Sequence, residues 1–198
     1  MSWETVRIKR SLVALGTALT LLFAAGTADA KVARDACEGD SGLDLRRVEA
    51  TLNRPGGVKT WTYVIETCKP FSPTDLRGVD GGEHYAMSLH FDTTGDDGRF
   101  ERTMDIYNCN ASTDQVCADM WAGHGGDRYY GGPRKVGDAD ATQSSPTSVT
   151  VTFPNRWLGK KARNRTGFLW SSRTANETQP GQITFDYCPD GRSPREHP

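Results

Sequence analysis

Residues 83–92 read Glu-His-Tyr-Ala-Met-Ser-Leu-His-Phe-Asp. Tyr85, Met87, Leu89 and Phe91 take every second position, with Ala86, Ser88 and His90 between them. Successive side chains of a strand point to opposite faces, so this alternation predicts a strand with one buried side and one facing solvent. His84 and His90 share the second side. At about 3.3 Å per residue they lie about 20 Å apart, too far to hold one metal ion, and both read as surface histidines.

The same period-two pattern recurs outward from this stretch. It predicts strands at 44–51, 60–67, 100–107, 147–153, 167–171 and 181–187. Turn clusters separate them: RPGG at 54–57, TTGDDG at 93–98, GGP at 131–133, QSSP at 143–146 and ANETQPG at 175–181. Outside the first thirty residues no window carries an amphipathic helix of about ten or more residues; the short stretch 156–163 suggests a single turn. Short, evenly spaced strands with Gly- and Pro-rich turns point to an all-β fold, an antiparallel β-sandwich of about seven to nine strands.

The first thirty residues read as a cleaved signal peptide. Arg7, Lys9 and Arg10 precede the apolar run 11–26, and Ala28-Asp29-Ala30 offers small-x-small before Lys31. The run is shorter than a membrane span and no second one follows, so the expectation is a secreted, extracellular protein with no membrane span once the signal is gone. Residues 31–43 read as a lead-in, 44–188 as the β-sandwich domain and 189–198 as a disordered tail. The whole chain has 24 basic and 25 acidic residues; residues 1–30 hold three and two of them, leaving 21 against 23. Without a basic surplus, nucleic acid is not an expected partner.

Export to an oxidising compartment favours disulfides over metal thiolates for the five cysteines, Cys37, Cys68, Cys109, Cys117 and Cys188. Cys109 and Cys117 are the easiest pair to close. One of the other three then stays single, and a Cys37–Cys188 bridge would tie the two ends of the domain together. The triplets at Asn110, Asn164 and Asn176 fit the glycosylation pattern and mark surface loops.

The run Gly39-Asp40-Ser41-Gly42 resembles the nucleophile loop of chymotrypsin-like proteases. A serine nucleophile needs a base, an orienting group and oxyanion donors. Few residues precede Ser41 after the leader, none is histidine, and Leu43 stands where the protease pattern has glycine. Ser41 reads as part of a turn before the first strand.

Further motifs carry a second resemblance: Asp44-Leu45-Arg46, the run LHFDTTGDD at 89–97, LWSSRTAN at 169–176 and DYCPD at 186–190. Together they resemble a group of small exported bacterial β-sandwich proteins, loosely similar in plan to the family 9 carbohydrate-binding modules. The resemblance implies a sandwich and an extracellular ligand. This chain departs from it in its extra cysteines and its glycine-rich insertion at 122–132.

Two loops offer chemistry. In 92–101, Asp92, Thr94, Asp96, Asp97 and Glu101 present clustered oxygens suited to calcium, which takes about six to eight such ligands. The plainer reading of the same residues is a tight hairpin tip between strands 83–91 and 100–108. Calcium is the one ion suggested, and no other cofactor is expected. In 119–132, Trp121, Tyr129 and Tyr130 could stack on a sugar, with His124, Asp127 and Arg128 supplying hydrogen bonds. The alternative is a loop between strands with Trp121 turned into the core.

The expected function is therefore a secreted, non-enzymatic protein that binds an extracellular glycan or a partner protein. A second reading is a hydrolase in the 119–132 loop, with His124 as base and Asp127 or Asp96 as its orienter. A third is an inhibitor-like protein whose Cys109–Cys117 loop engages another protein.

Overall fold

The computed structural model describes residues 29–38, 43–76, 78–79, 84–85, 87–93, 100–110, 115–123, 134–160, 169–179, 182–188 and 195–196. The fold is all-β and every ladder is antiparallel. The strands are β1 (Asp29–Arg34), β2 (Leu45–Asn53), β3 (Thr60–Thr67), β4 (Gly78–Val79), β5 (His84–Tyr85), β6 (Met87–Asp92) and β7 (Arg102–Asn110). They continue with β8 (Gln115–Ala122), β9 (Arg134–Ser145), β10 (Ser148–Pro154), β11 (Leu169–Gln179), β12 (Gln182–Cys188) and β13 (Arg195–Glu196). Among the described residues no helix is long and apolar enough to cross a membrane.

The expected two-sheet arrangement takes a different form: one continuous, curled sheet. Its order is β1-β2-β3-β10-β9-β8-β7-β6-β11-β12, with β13 added to β11, and β4 and β5 form a separate pair. β9 is the seam. Its first half, up to Ala139, pairs with β8, and its second half, from Asp140, pairs with β10. The curl brings β12 back to β2, where Leu45 N–H donates to Asp186 Oδ2 at 2.6 Å.

The core lies between the two halves. In β3, Trp61, Tyr63 and Ile65 alternate inward, and in β10 so do Val149, Val151 and Phe153. From the other half come Met87, Leu89 and Phe91 of β6, Met104 and Ile106 of β7, and Ala118 and Met120 of β8. Tyr63 joins them: its ring stacks on Phe153 at 5.9 Å and meets Phe91 edge-on at 5.6 Å. Each such ring contributes about 1.5–3 kcal/mol by leaving water.

Several local expectations change. The lead-in is partly structured, because Asp29–Arg34 pairs with 47–52 of β2 as the edge strand β1. Within the tail, Arg195 and Glu196 pair with Trp170 and Leu169. Three further strands, β4, β8 and β9, fall in none of the expected ones. β11 runs through residues 175–179, where the sequence suggests a turn, so Asn176 stands in a strand opposite Thr184. Asn110 is exposed at the end of β7, and Asn164 lies outside the described residues. Residues 155–158 form a 3-10 turn where a helical turn was suggested.

Cys109–Cys117 forms as expected, with Cα atoms 5.5 Å apart, and staples β7 to β8. Cys37 pairs with Cys68, not with Cys188, at a Cα separation of 5.7 Å. Cys188 is a buried free thiol within the core.

Candidate functional site

The outer face of β6–β8 is where expectation from local alternation fails most usefully. Residues directly opposite in an antiparallel ladder share a face. Across β6, β7, β8 and β9 this aligns Ser88, Asp105, Asp119 and Asp138 in one row. The neighbouring row is His90, Thr103, Trp121 and Lys135. This face was expected to meet solvent. Instead Ser88 is 0% exposed and His90 9%, and Asp92, Thr103, Asp105 and Asp119 are buried as well. The sheet is therefore enclosed on both sides here, by an apolar layer within and a polar layer without.

Within that layer, Ser88 Oγ and His90 Nε2 are 2.9 Å apart, and the Phe100 ring lies 5.0 Å from the imidazole. The two residues stand two apart on one strand, so the backbone itself sets their pairing. Tyr107 donates to Asp119 Oδ2 at 3.0 Å, and Lys135 Nζ reaches the same oxygen at 3.0 Å. Lys135 also pairs with Asp138. Like charges facing each other across strands repel, and Lys135 offsets that repulsion at the β8–β9 end of the row. Its hydrogen bonds to Asp138 and Asp119 raise the Lys135 pKa above the usual lysine range, and Lys135 in turn lowers that of Asp138. Lys135 and Asp138 are both well exposed, so their pair adds little stability.

Of the calcium set, Asp92 is buried, whereas Thr94, Asp96 and Asp97 lie outside the described residues. Glu101 is already engaged in holding the fold. Its Oε2 accepts from Thr93 N–H at 2.6 Å and from Thr93 Oγ1 at 3.2 Å. It clips the ends of β6 and β7 together, as the hairpin reading requires. Cys37, Cys68 and Asp44 also bring potential metal-binding atoms together, but the two sulfurs are bonded to each other and offer no thiolate.

Of the sugar-stacking set, Trp121 is half-buried on the outer face of β8, and its indole N–H is enclosed without a hydrogen-bond partner among the described residues. It is turned away from the core, contrary to the alternative of a core tryptophan. His124, Asp127, Arg128, Tyr129 and Tyr130 lie outside the described residues.

A second feature opens at the end of the β3–β10 ladder. Val58, Lys59, Pro154, Asn155 and Arg156 line a cavity of about 290 Å³. Two hydrogen bonds fix its wall: Trp61 Nε1–H donates to Asn155 Oδ1 at 2.8 Å, and Asn155 N–H to Lys59 O at 3.0 Å. Val58 is 53% exposed, so the cavity opens to solvent beside an apolar side chain. No imidazole or carboxylate lines it among the described residues.

Sequence reasoning passed over both places. The signal for the first was present: Ala86, Ser88 and His90 include no lysine or glutamate, which a solvated strand face usually carries. The signal for the second was absent, because its residues are far apart in sequence and meet only through the β3–β10 ladder. Compared with family models, curated proteins and solved structures, the chain matches none of them.

Proposed function

We propose that the protein is exported and acts without catalysis, binding an extracellular ligand. The observation that carries this is the chemistry of the open cavity: it holds Lys59, Arg156 and the Asn155 amide beside Val58 and Pro154. Those groups can hold a ligand but include no acid–base pair for turnover. Two disulfides support an oxidising destination, in keeping with the leader-like first thirty residues. The resemblance to exported sandwiches that are loosely similar in plan to carbohydrate-binding modules favours a glycan over a protein. The test is a glycan array probed with residues 31–198. Retention of one glycan class, unchanged in composition after incubation, is the expected result. Release of sugar products, or no retention by any glycan, overturns the reading.

A hydrolase remains the second reading, favoured by one contact. His90 Nε2, at 2.9 Å, could take the proton of Ser88 Oγ as that oxygen attacks an ester carbonyl. The base would be His90 and not His124. The complete burial of Ser88 opposes it. A fluorophosphonate probe that labels the wild type at Ser88, and fails to label Ser88→Ala and His90→Gln, would establish this reading in place of the first.

A further inference from the structure

We infer that the cavity between Val58–Lys59 and Pro154–Arg156 is a binding site for a small organic carboxylate. This rests on the binding reading above and adds the charge and size of the ligand. Lys59 and Arg156 bring two cations to one opening, and neither forms an ion pair among the described residues. Their positive charge is thus available to a ligand, and a guanidinium is shaped to bind both oxygens of a carboxylate.

The third polar group is oriented by the fold. Trp61 Nε1–H can only donate, so its bond at 2.8 Å fixes Oδ1 of Asn155 as the acceptor. The other arm of that amide, Nδ2, is therefore a donor. Asn155 itself is buried and held from behind by its own N–H on Lys59 O. The site thus combines an oriented amide and two exposed cations, with no opposing carboxylate among the described residues.

Val58 and Pro154 define the rest of the ligand. An exposed valine beside a proline favours a ligand with a C–H face next to its charge. A volume of about 290 Å³ sits at the small end of ligand sites and suits one ring. An acidic sugar such as a hexuronate and a free cyclic organic acid share this chemistry: one carboxylate on one ring with an apolar side.

The experiment titrates the isotope-labelled 31–198 chain with galacturonate, benzoate and glucose, read by amide and indole shifts. A carboxylate ligand should move Val58, Lys59, Asn155 and Arg156 and the Trp61 indole N–H, while glucose should not. Galacturonate alone points to an acidic sugar, benzoate alone to a free organic acid, and both to recognition of the carboxylate itself. Loss of one charge-assisted bond should weaken binding about tenfold in Lys59→Gln or Arg156→Gln. Both positions are exposed, and an unmoved Trp61 indole signal in the free variants verifies the fold. The inference fails if neither carboxylate shifts these residues, if glucose shifts them equally, or if the variants bind as the wild type does. A neutral glycan retained on the array despite such failure would leave the binding reading standing and remove only this site.

Discussion

Ser88 and His90 hold each other at 2.9 Å on a strand whose two faces are both buried. Removing the hydroxyl leaves the His90 ring nitrogen without this partner in an enclosed place. Ser88→Ala should therefore cost about 1–3 kcal/mol, read from the midpoint of urea unfolding. A solvated pair would cost almost nothing, so an unchanged midpoint would contradict the burial of this face.

Gly137 and Trp157 make a second, sharper relationship. A Cβ placed on Gly137 would collide with the Trp157 ring, which itself stacks on Phe153 at 6.3 Å. The ring cannot simply swing away without leaving that stack. Gly137→Ala should cost about 1–3 kcal/mol by overpacking and alter near-ultraviolet circular dichroism. Replacing Trp157 with valine makes room, so the double variant should lose less than the sum of the two single losses.

The two disulfides should differ in worth. Cys37–Cys68 closes a loop with a sequence separation of 31, Cys109–Cys117 one of 8. Chain entropy gives about 3.7 kcal/mol for the first and about 2.6 kcal/mol for the second. Paired serine substitutions should lower stability in that order. The Cys188 thiol, enclosed in the core, should ignore a thiol reagent until the chain unfolds.

Stability should also respond to pH through the junction of β12 with β2. Burial raises the Asp186 pKa above the ordinary carboxylate range; the Leu45 N–H opposes this, and neighbouring Asp44 adds to it. A carboxyl with a higher value folded than unfolded favours the native state while protonated. That contribution is complete below the unfolded value and is lost as pH rises through the folded one. Asp186→Asn keeps an acceptor for Leu45 and cannot ionise. Its melting temperature should fall less than that of the wild type between about pH 4 and pH 7. Parallel pH dependence in the two proteins would show that Asp186 has no part in it.

Much of the fold was legible because its central strands bury large alternating residues. Trp61, Tyr63 and Ile65 announce β3, and Val149, Val151 and Phe153 announce β10. β9 was not legible for the opposite reason. Its only large aliphatic residue is Val136, none of its residues is fully buried, and it is a strand because ladders hold both its edges. β8 was hidden by the smallness of Ala118 and by the aromatic sequence at its end. In the outer polar layer, local alternation shows which residues share a face. It does not show that the rest of the chain closes over them. The Lys59–Arg156 cavity needed the ladder between β3 and β10, a long-range pairing that no short window contains.

The β9 seam makes the molecule mechanically indivisible. Neither half can peel off alone, because the twelve-residue ribbon of β9 is stitched to both. Its polar composition would ordinarily mark a segment whose amide protons trade with water quickly. Here the amides up to Ala139 wait on the β8 ladder and those from Asp140 on the β10 ladder, so the two halves of β9 should exchange in step with β8 and with β10 respectively.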